Sequence, residues 1–396
     1  MVRIDVVIFG GGAIGLWLLD ELHRAGYSAV LFESQALGAG QTIASQGIIH
    51  GGLKYTLKGL FTSSADAIKE MPARWRRCLS GEAKPDLRAT PIRAQFCHLW
   101  STDALRSRVG LFAASAALTV KPRPLSREDW PTVLRGCTGS VSVLEEQVIC
   151  PRGFVATLAA AHDRRLFQYR AGALKADIAG SQVSTITLTL ASGLEIKVLP
   201  RTIVLAAGQG NAELRAIFGL SSQAMQRRPV HITLARHIDL PMLNGHCVDG
   251  NKTRVTITSD HDASGRVIWQ IGGQVSEDGV DMTRAQLVKH VKQELRAALP
   301  GFDTHGLEWS SYLIDRAEGA NRGQRPADAT VLCEGNVITC WPTKLALVPA
   351  AAERIAALLP DPIAPPLDSR VVKDWPAPQV AMPPWETAAE WIKCDG

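Results

Sequence analysis

The sequence predicts an α/β fold in which one part is a parallel sheet covered by helices and another part is built from antiparallel strands. Three observations predict it. An apolar strand, a glycine-rich turn, a helix and a second apolar strand follow one another between Asp5 and Glu33. Residues 166–207 consist almost entirely of strand-like runs, such as T-I-T-L-T-L at 185–190. Further strand patterns follow at 227–236 and 254–273. The first pattern is typical of a parallel sheet, and the other two are typical of hairpins.

The N-terminal pattern has the features of a Rossmann-like dinucleotide site. Gly10, Gly12 and Gly15 stand in G-x-G-x-x-G spacing between strand and helix. Gly10 permits the tight turn, Gly12 lets backbone N–H groups approach a pyrophosphate, and Gly15 lets the helix pack on the sheet. Glu33 ends the second strand, where an acidic side chain accepts hydrogen bonds from a ribose. A glycine-rich turn that binds nothing would not need this context. The predicted contacts here are Gly10, Gly12, Ala13, Ile14, Gly15, Glu33 and Ser34.

The segment 34–52 indicates that the dinucleotide is FAD. It is rich in Gly, Ser and Thr, poor in charge, and leads to His50. Small residues and hydroxyls suit a chain that runs along phosphates and then under a flat ring. The small residues of V-L-A-A-G at 204–208 allow a second close approach. We find no second G-x-G-x-x-G with strand context, so we expect no NAD(P)H site. The further predicted FAD contacts are Gln41, Thr42, Ser45, Gln46, Gly47, Ile48, Ala207 and Gly208.

The composition and net charge of the chain limit the kinds of molecule that it is expected to bind. The chain of 396 residues has 43 Lys and Arg against 38 Asp and Glu, a net charge of +5. This charge is too small to indicate nucleic acid and is compatible with an anionic substrate. The eight cysteines show no C-x-x-C or paired histidine spacing. We therefore expect no metal site, reduced thiols and a cytoplasmic protein.

Three features of the sequence bear on contacts with membranes and with other subunits. We find no run of 18 uncharged apolar residues and so expect no transmembrane helix. Arg74, Arg76 and Arg77 around Trp75 indicate a solvated helix face, with an anion or peripheral membrane contact as the alternative. Residues 361–396 are rich in Pro and Trp. They predict an extended arm that packs across its own chain or a partner subunit of a homo-oligomer.

Several elements are predicted from local patterns. The sequence predicts a helix over 53–79 that is broken at Pro72, and a second helix over 103–118. A short helix is expected over 125–134, with Ser126 as its N-cap. Residues 316–329 are expected to form a charged loop, and a last helix to run from Thr343 or Lys344 to Leu359.

Four motifs carry a family resemblance. They are G-G-G-A-I-G with Glu33, Q-T-I-A-S-Q-G-I-I-H-G-G-L-K-Y at 41–55, V-L-A-A-G at 204–208, and N-V-I-T-C-W-P-T-K-L at 336–345. Through them the chain resembles the flavin-dependent D-amino-acid-oxidase-like superfamily over about residues 4–357. The second motif is similar to those of FAD-linked glycerol-3-phosphate dehydrogenases and L-2-hydroxyglutarate dehydrogenases. In relatives the fourth motif is usually glycine-rich, whereas here it contains Trp341 and Pro342.

The resemblance implies an α/β fold with a Rossmann-like FAD-binding domain and an inserted α+β substrate domain on an antiparallel sheet. The final helix is expected to meet the flavin through Thr343, Lys344 and Leu345. The expected partition assigns 1–80, 141–222 and 321–360 to the FAD-binding domain, 81–140 and 223–320 to the substrate domain, and 361–396 to the arm.

The implied activity is that of an FAD-dependent oxidoreductase. A hydride would move from a small anionic substrate, a 2-hydroxy acid or a glycerol-3-phosphate-like molecule, to the flavin. Reoxidation would use a quinone, oxygen or a carrier protein. One alternative is an amine or amino-acid oxidase of the same fold. The second is a non-catalytic flavin- or nucleotide-binding subunit.

His50 is the main catalytic candidate, because imidazole titrates near neutral pH. It is interpreted as a base or hydroxyl-orienting group. A covalent bond to the flavin and a purely structural role are the alternatives.

Other candidates surround the expected substrate. Arg325 lies where relatives often place an arginine that binds the substrate carboxylate, with Arg322 or a solvated loop as alternatives. The resemblance places Lys54 and Tyr55 on the substrate side of the ring. His231 is expected in the roof over the flavin or in a structural role.

Overall fold

The N-terminal strand–helix–strand unit forms where it was predicted. The computed structural model describes residues 2–51, 68, 70–102, 122–249, 252–365, 367–388 and 390–393. In it β1 (Val2–Phe9) leads through α1 (Ala13–Arg24) to β2 (Ala29–Glu33). β1 pairs in parallel with β2 on one side and with β10 (Glu195–Leu205) on the other. It is apolar on both faces because both are covered.

A seven-stranded sheet is built around this unit. β2 continues in parallel to β8, and β10 continues in parallel to β17, while β9 and β16 pair antiparallel with their neighbours. The predicted runs at 166–207 therefore complete this sheet as a hairpin and a return strand. The added strands are β8 (Leu166–Ala179), β9 (Gln182–Leu190), β16 (Thr330–Glu334) and β17 (Val337–Trp341).

Helices bury one face of this sheet. α1 packs against α2 (Met71–Ser80), α3 (Pro151–Ala161) and α7 (Val348–Ala356). The rings of Trp17 and Trp75 lie 4.9 Å apart at the centre of this core. Arg74 forms ion pairs with carboxylates of its own chain, which accounts for part of the basic cluster without a membrane.

A nine-stranded sheet forms the second layer of the molecule. Its order is β18-β15-β11-β14-β13-β12-β4-β6-β5, antiparallel except between β12 and β4. α6 (Arg284–Ala298) covers it and begins with a capping box at Thr283 and Gln286. The strands are β4 (Cys97–Trp100), β5 (Arg123–Pro124), β6 (Val141–Leu144), β11 (Met225–His237), β12 (Gly245–Asp249), β13 (Lys252–His261), β14 (Val267–Gly272), β15 (Glu308–Gly319) and β18 (Ile392–Lys393).

The remaining elements are short. β3 (Ile92–Ala94) and β7 (Val148–Ile149) form a two-stranded ribbon between the sheets. The short helices are α4 (Asn211–Ile217), α5 (Gln274–Asp278), α8 (Ser369–Val372) and α9 (Pro384–Thr387).

The helix prediction over 125–134 was wrong in its details. The expected helix over 125–134 consists of two 3₁₀ turns, Arg127–Asp129 and Thr132–Leu134, because Pro131 between them cannot donate a helical hydrogen bond. Ser126 Oγ contacts the Asp129 carboxylate instead of capping a backbone N–H group. A new helix, α2, begins at Met71 with Pro72 in its first turn, a position that proline fits. Ile68 is helical and Glu70 lies in a turn, which agrees with the predicted break at Pro72. The predicted helix over 103–118 and residues 53–67 lie outside the described residues.

Later boundaries also shift. The expected loop over 316–329 starts later, because β15 continues to Gly319. The last helix starts with a 3₁₀ turn, Leu345–Leu347, and becomes α-helical at Val348. We assigned residues 141–144 to the FAD-binding domain, but they form β6 of the nine-stranded sheet. This strand is therefore reassigned to the substrate domain. With that change, the domain partition stays our proposal.

The C-terminal arm packs across its own chain. Pro376 accepts a backbone hydrogen bond from Gln168, and Val380 forms a bridge with Leu37. β18 then pairs with β15 at the edge of the nine-stranded sheet. Separately, no helix within the described ranges is long and apolar enough to cross a membrane.

Candidate active site

Both sheets contribute to one cavity of about 540 Å³. This volume lies in the range of small-molecule sites. Every predicted FAD contact except Gly15 lines it, and so do His50 and Arg325. The lining FAD candidates are Gly10, Gly12, Ala13, Ile14, Glu33, Ser34, Gln41, Thr42, Ser45, Gln46, Gly47, Ile48, Ala207, Gly208, Thr343, Lys344 and Leu345.

The glycine motif lies where backbone segments approach one another closely at the cavity wall. Gly10 has φ +110°, and a Cβ there would lie 2.5 Å from Ala207 Cα. Gly15 lies behind the wall, where a Cβ would be 2.0 Å from the Gly10 carbonyl oxygen. Gly10 thus permits the turn, and Gly15 permits the close packing of α1. The N-terminus of α1, with Gly12 as a cap that has no side chain, faces the cavity and favours an anion.

Glu33 is the acidic side chain of the nucleotide end. Its Oε2 accepts a hydrogen bond from Gly11 N at 2.7 Å, and its Oε1 accepts one from Gln35 N at 2.8 Å. Burial raises the pKa of Glu33, although these backbone hydrogen bonds oppose the rise. An acceptor held at the end of β2 fits the ribose of a dinucleotide.

The turn after β17 explains how the fourth motif fits the site without glycines. Thr343 adopts φ +60°, a left-handed conformation that glycine favours. Trp341 is fully buried, and its Nε1 donates to the Gly208 carbonyl at 3.2 Å. The bulky Trp341 side chain therefore serves as wall and does not obstruct the cavity.

Two hydroxyls on the cavity wall fit a bound group with a polar edge. Ser45 Oγ and Thr343 Oγ1 are buried and have no hydrogen-bond partner among the described residues. Buried hydroxyls are normally satisfied. Together with the glycine turn and Glu33, they make the cavity a good fit for FAD.

His50 is partly exposed and contacts two buried groups, in an ionic cluster that we define as His50, Glu146 and His246. Glu146 Oε2 lies 3.5 Å from His50 Nδ1 and 3.6 Å from His246 Nε2. Its Oε1 accepts a hydrogen bond from Gly51 N at 2.6 Å. Burial alone would raise the pKa of Glu146, but the hydrogen bonds and charges of His246 and His50 lower it well below its usual value.

The sequence did not predict Glu146 or His246. No spacing links them, since Glu146 lies in the turn between β6 and β7 and His246 lies on β12. One signal was available, because Glu146 interrupts the apolar run V-S-V-L-E-E-Q-V-I and a buried carboxylate needs a partner. The three ligand atoms lie within 4.8 Å of one another, a set that can also hold a metal ion. The expectation of no metal therefore stays a prediction.

Arg316 and Arg325 line the cavity and belong to a cluster of arginines and glutamates. Arg228 donates to Glu318 at 2.7 Å, and Arg316 donates to Glu277 at 2.8 Å. Arg325 interacts electrostatically with Glu318, Arg228 and Glu277, but it forms no ion pair with a carboxylate of the described residues. Burial and the nearby Arg325 lower the pKa of Arg316, against the ion pair with Glu277 that raises it. Three guanidinium groups thus share two carboxylates.

The remaining candidates lie elsewhere. Arg322 is exposed, and it does not line the cavity. His231 contacts the Gly279 carbonyl at 3.1 Å and Ser311 Oγ at 2.9 Å. Its neighbours Val230 and Ile232 line the cavity, but His231 does not. The contacts of His231 therefore agree with a structural role. Lys54 and Tyr55 lie outside the described residues.

Comparison with known proteins decides the family. Residues 5–357 match the family model described as DAO, FAD dependent oxidoreductase. The chain belongs to this family. It is therefore an FAD-dependent oxidoreductase, as the motifs predicted, and the expected enzyme class and cofactor are confirmed.

Relatives support the same assignment. The chain is 38% identical over 390 residues to the probable FAD-dependent oxidoreductase PA4991 of Pseudomonas aeruginosa, covering 97% of this chain and 98% of that protein. The crystal structure of PA4991 superposes with a TM-score of 0.82 at 32% identity and 98% coverage of both chains.

More distant structures share the fold. Glycine oxidase from Geobacillus kaustophilus gives a TM-score of 0.61 at 17% identity, covering 91% of this chain and 95% of that one. Dithionite-reduced L-α-glycerophosphate oxidase from Mycoplasma pneumoniae, with FAD bound, gives 0.66 at 15% identity with the same coverage. These matches confirm the predicted fold class.

Proposed function

We propose that this enzyme oxidises a small anionic substrate, either a 2-hydroxy acid or a molecule similar to glycerol 3-phosphate. The observation that carries the proposal is the excess of one positive charge among Arg228, Arg316, Arg325, Glu277 and Glu318. An anion that binds Arg325 would balance this charge, and a planar guanidinium suits a carboxylate or a phosphate.

His50 supplies the second half of the proposal. When bound, FAD accepts the hydride from the substrate carbon. The hydroxyl proton would move to His50, whose imidazole can take it near neutral pH. A covalent link between His50 and the flavin is the competing role. Electrons would then leave to a quinone, oxygen or a carrier protein, and we propose a cytoplasmic location on the basis of the scattered cysteines.

The alternative substrate class is an amine or amino acid. It is favoured by the same arginine cluster, because an amino acid also presents a carboxylate. Glycine oxidase shares the fold, whereas the similarity to glycerophosphate oxidase and the His50 motif agree with a hydroxyl substrate. The two classes differ in the product, since amine oxidation releases ammonia or an amine after hydrolysis.

An anaerobic substrate screen tests the proposal. The flavin absorbance of the purified protein is followed during addition of 2-hydroxy acids, glycerol 3-phosphate, and glycine or other amino acids. We expect bleaching by a hydroxyl substrate. Bleaching by amino acids alone, with ammonia release, would replace this proposal by the alternative. Acid precipitation of the same sample shows whether the flavin is covalently bound.

Arg325→Gln tests the anion site, with Arg322→Gln as its matched control. A charged hydrogen bond contributes about 1.5–3 kcal/mol, so Arg325→Gln should raise the Kd for the bleaching substrate by about 10- to 150-fold. Arg322→Gln should leave it unchanged, because Arg322 is outside the cavity wall. Titration of flavin bleaching measures both values. Equal effects of the two substitutions would remove Arg325 from the substrate site.

A further inference from the structure

We infer that Glu146 and His246 are positioning residues that hold His50 in one tautomer, with hydrogen on Nδ1 directed at the carboxylate. Nε2 is then the nitrogen that accepts the substrate proton. This last step rests on the proposed function, whereas the tautomer itself does not.

Burial and a backbone hydrogen bond hold the Glu146 carboxylate in place independently of the two histidines. Glu146 is 1% exposed, and Gly51 N donates to its Oε1 at 2.6 Å. Oε2 is therefore the oxygen that both imidazoles approach, at 3.5 Å and 3.6 Å. His50 and Gly51 are adjacent in sequence, so the backbone bond also fixes the position of the His50 main chain relative to Glu146.

Hydrogen-bond chemistry determines the tautomers. The two contacts with Oε2, at 3.5 Å and 3.6 Å, are ion-pair contacts and are longer than ordinary hydrogen bonds. An ionised carboxylate has no hydrogen to donate and repels a nitrogen lone pair, so the nitrogens that face Oε2 are the ones that carry hydrogen. These are His50 Nδ1 and His246 Nε2. The other nitrogen of His246, Nδ1, lies 2.9 Å from Thr256 Oγ1, whose hydroxyl can donate to it. Thr256 thus favours the same tautomer of His246 from the opposite side of the ring.

This arrangement supports proton transfer in a definite direction. The substrate O–H or N–H bond would break, and its proton would bond to His50 Nε2. The electron pair left behind would form the C=O or C=N bond as the carbon gives up a hydride, which FAD would accept when bound. His50 becomes an imidazolium, and the Glu146 carboxylate stabilises the positive charge. His246 competes for the same oxygen and limits this stabilisation.

The experiment uses the flavin-loaded protein labelled with ¹⁵N-histidine. In the wild type, His50 should give a protonated, pyrrole-type Nδ1 signal and a pyridine-type Nε2 signal, assigned by comparison with His50→Asn. Glu146→Gln keeps an oxygen for Gly51 N, but its amide group donates hydrogen. The two His50 signals should therefore exchange type in that variant. Glu145→Gln is the matched control, because the Glu145 side chain is 75% exposed and should leave both signals unchanged.

A second measurement covers the case in which Glu146→Gln does not fold. Diethylpyrocarbonate carbethoxylates neutral imidazole. Its reaction with His50, followed by peptide mass spectrometry, therefore reports the fraction of His50 that is neutral at each pH. Glu146 faces His50 from the β6–β7 turn, and His246 faces it from β12. Loss of the carboxylate in Glu146→Gln should lower the pH midpoint by about one pH unit or more. His246→Gln should raise it, because the competing donor is weakened.

The outcomes separate this inference from the proposed function. A pyridine-type Nδ1 in the wild type, signals unchanged in Glu146→Gln, or midpoints that move in the same direction in both variants would overturn the inference. A stoichiometric divalent metal in the purified protein, with both histidines as ligands, would also overturn it. No substrate is needed for these readouts, so a failed substrate screen would affect the proposed function alone.

Discussion

Two carboxylates, Glu33 on the cavity wall and Glu146 behind the wall residue His50, have opposite electrostatics. Glu33 accepts hydrogen bonds from backbone N–H groups, and burial raises its pKa. Glu146 is more deeply buried, yet two imidazoles lower its pKa. Charged partners outweigh desolvation at Glu146, whereas neutral backbone donors do not outweigh it at Glu33.

This difference indicates a division of work within the cavity. The nucleotide end is built from main-chain groups, close contacts and one acceptor, which suit a ligand that stays bound. The wall residues His50, Arg316 and Arg325 contribute ionisable side chains, which suit proton transfer and anion exchange. Substitutions at the nucleotide end should therefore affect cofactor content, and those at the three wall residues should affect turnover with cofactor retained.

The largest expected effect is at Gly10. Gly10→Ala would place a Cβ against the Ala207 backbone, with no flexible side chain to move. We expect loss of bound flavin and a decrease of more than about 3 kcal/mol in the free energy of unfolding. Gly26→Ala is the control, because Gly26 has a similar φ of +85° but open space around it, and its cost should be about 1–2 kcal/mol. Flavin absorbance and urea unfolding measure both variants, and retained flavin in Gly10→Ala would contradict the assignment of the nucleotide end.

The second effect is at His50. His50→Ala should keep its flavin but slow flavin reduction by the bleaching substrate by about 10²-fold or more, because a general base is lost. Stopped-flow absorbance measures the rate. His231→Gln serves as control, since His231 does not line the cavity and should leave the rate almost unchanged. A His50→Ala protein with nearly normal reduction would reassign His50 to a structural role.

The smallest effect is the pH dependence of the protein without cofactor. The raised pKa of Glu33 means that its contribution to stability is present below its ordinary value near 4.5 and decreases as pH rises through the folded-state pKa. The lowered pKa of Glu146 means that its contribution is present above 4.5 and decreases as pH falls. A tenfold difference in proton affinity between the folded and unfolded chain corresponds to about 1.4 kcal/mol of stability.

Unfolding free energies of the wild type, Glu33→Gln and Glu146→Gln between pH 3 and 7 test these signs, because the Glu146 contribution decreases only below about pH 4.5. Relative to wild type, Glu33→Gln should gain stability as pH rises, and Glu146→Gln should gain stability as pH falls. Parallel curves for all three proteins would show that Glu33 and Glu146 do not contribute to stability with opposite pH dependence.

The nucleotide end could be predicted because its determinants are local. Gly10, Gly12 and Gly15 act within one turn, and Glu33 follows on the next strand. The ionic cluster depends on residues that only the sheet topology brings together. Glu146 and His246 meet because β6 and β12 both flank β4.

Charged residues led us to predict a loop where the strand β15 continues. The segment predicted as a loop, 316–329, begins with Arg316 and contains Glu318. In the structure its first part is strand, because Arg228 on the paired strand β11 neutralises the buried Glu318. An ion pair occupies a position where a sequence pattern expects an apolar residue.

The C-terminal arm has a consequence for folding during synthesis. Trp375 packs against Phe32 and Phe167 of the seven-stranded sheet, and β18 completes an edge of the nine-stranded sheet. These covering residues leave the ribosome more than 200 positions after Phe167. Phe32 and Phe167 therefore lack their Trp375 cover through much of translation, and such exposed apolar surface favours aggregation of incompletely folded chains.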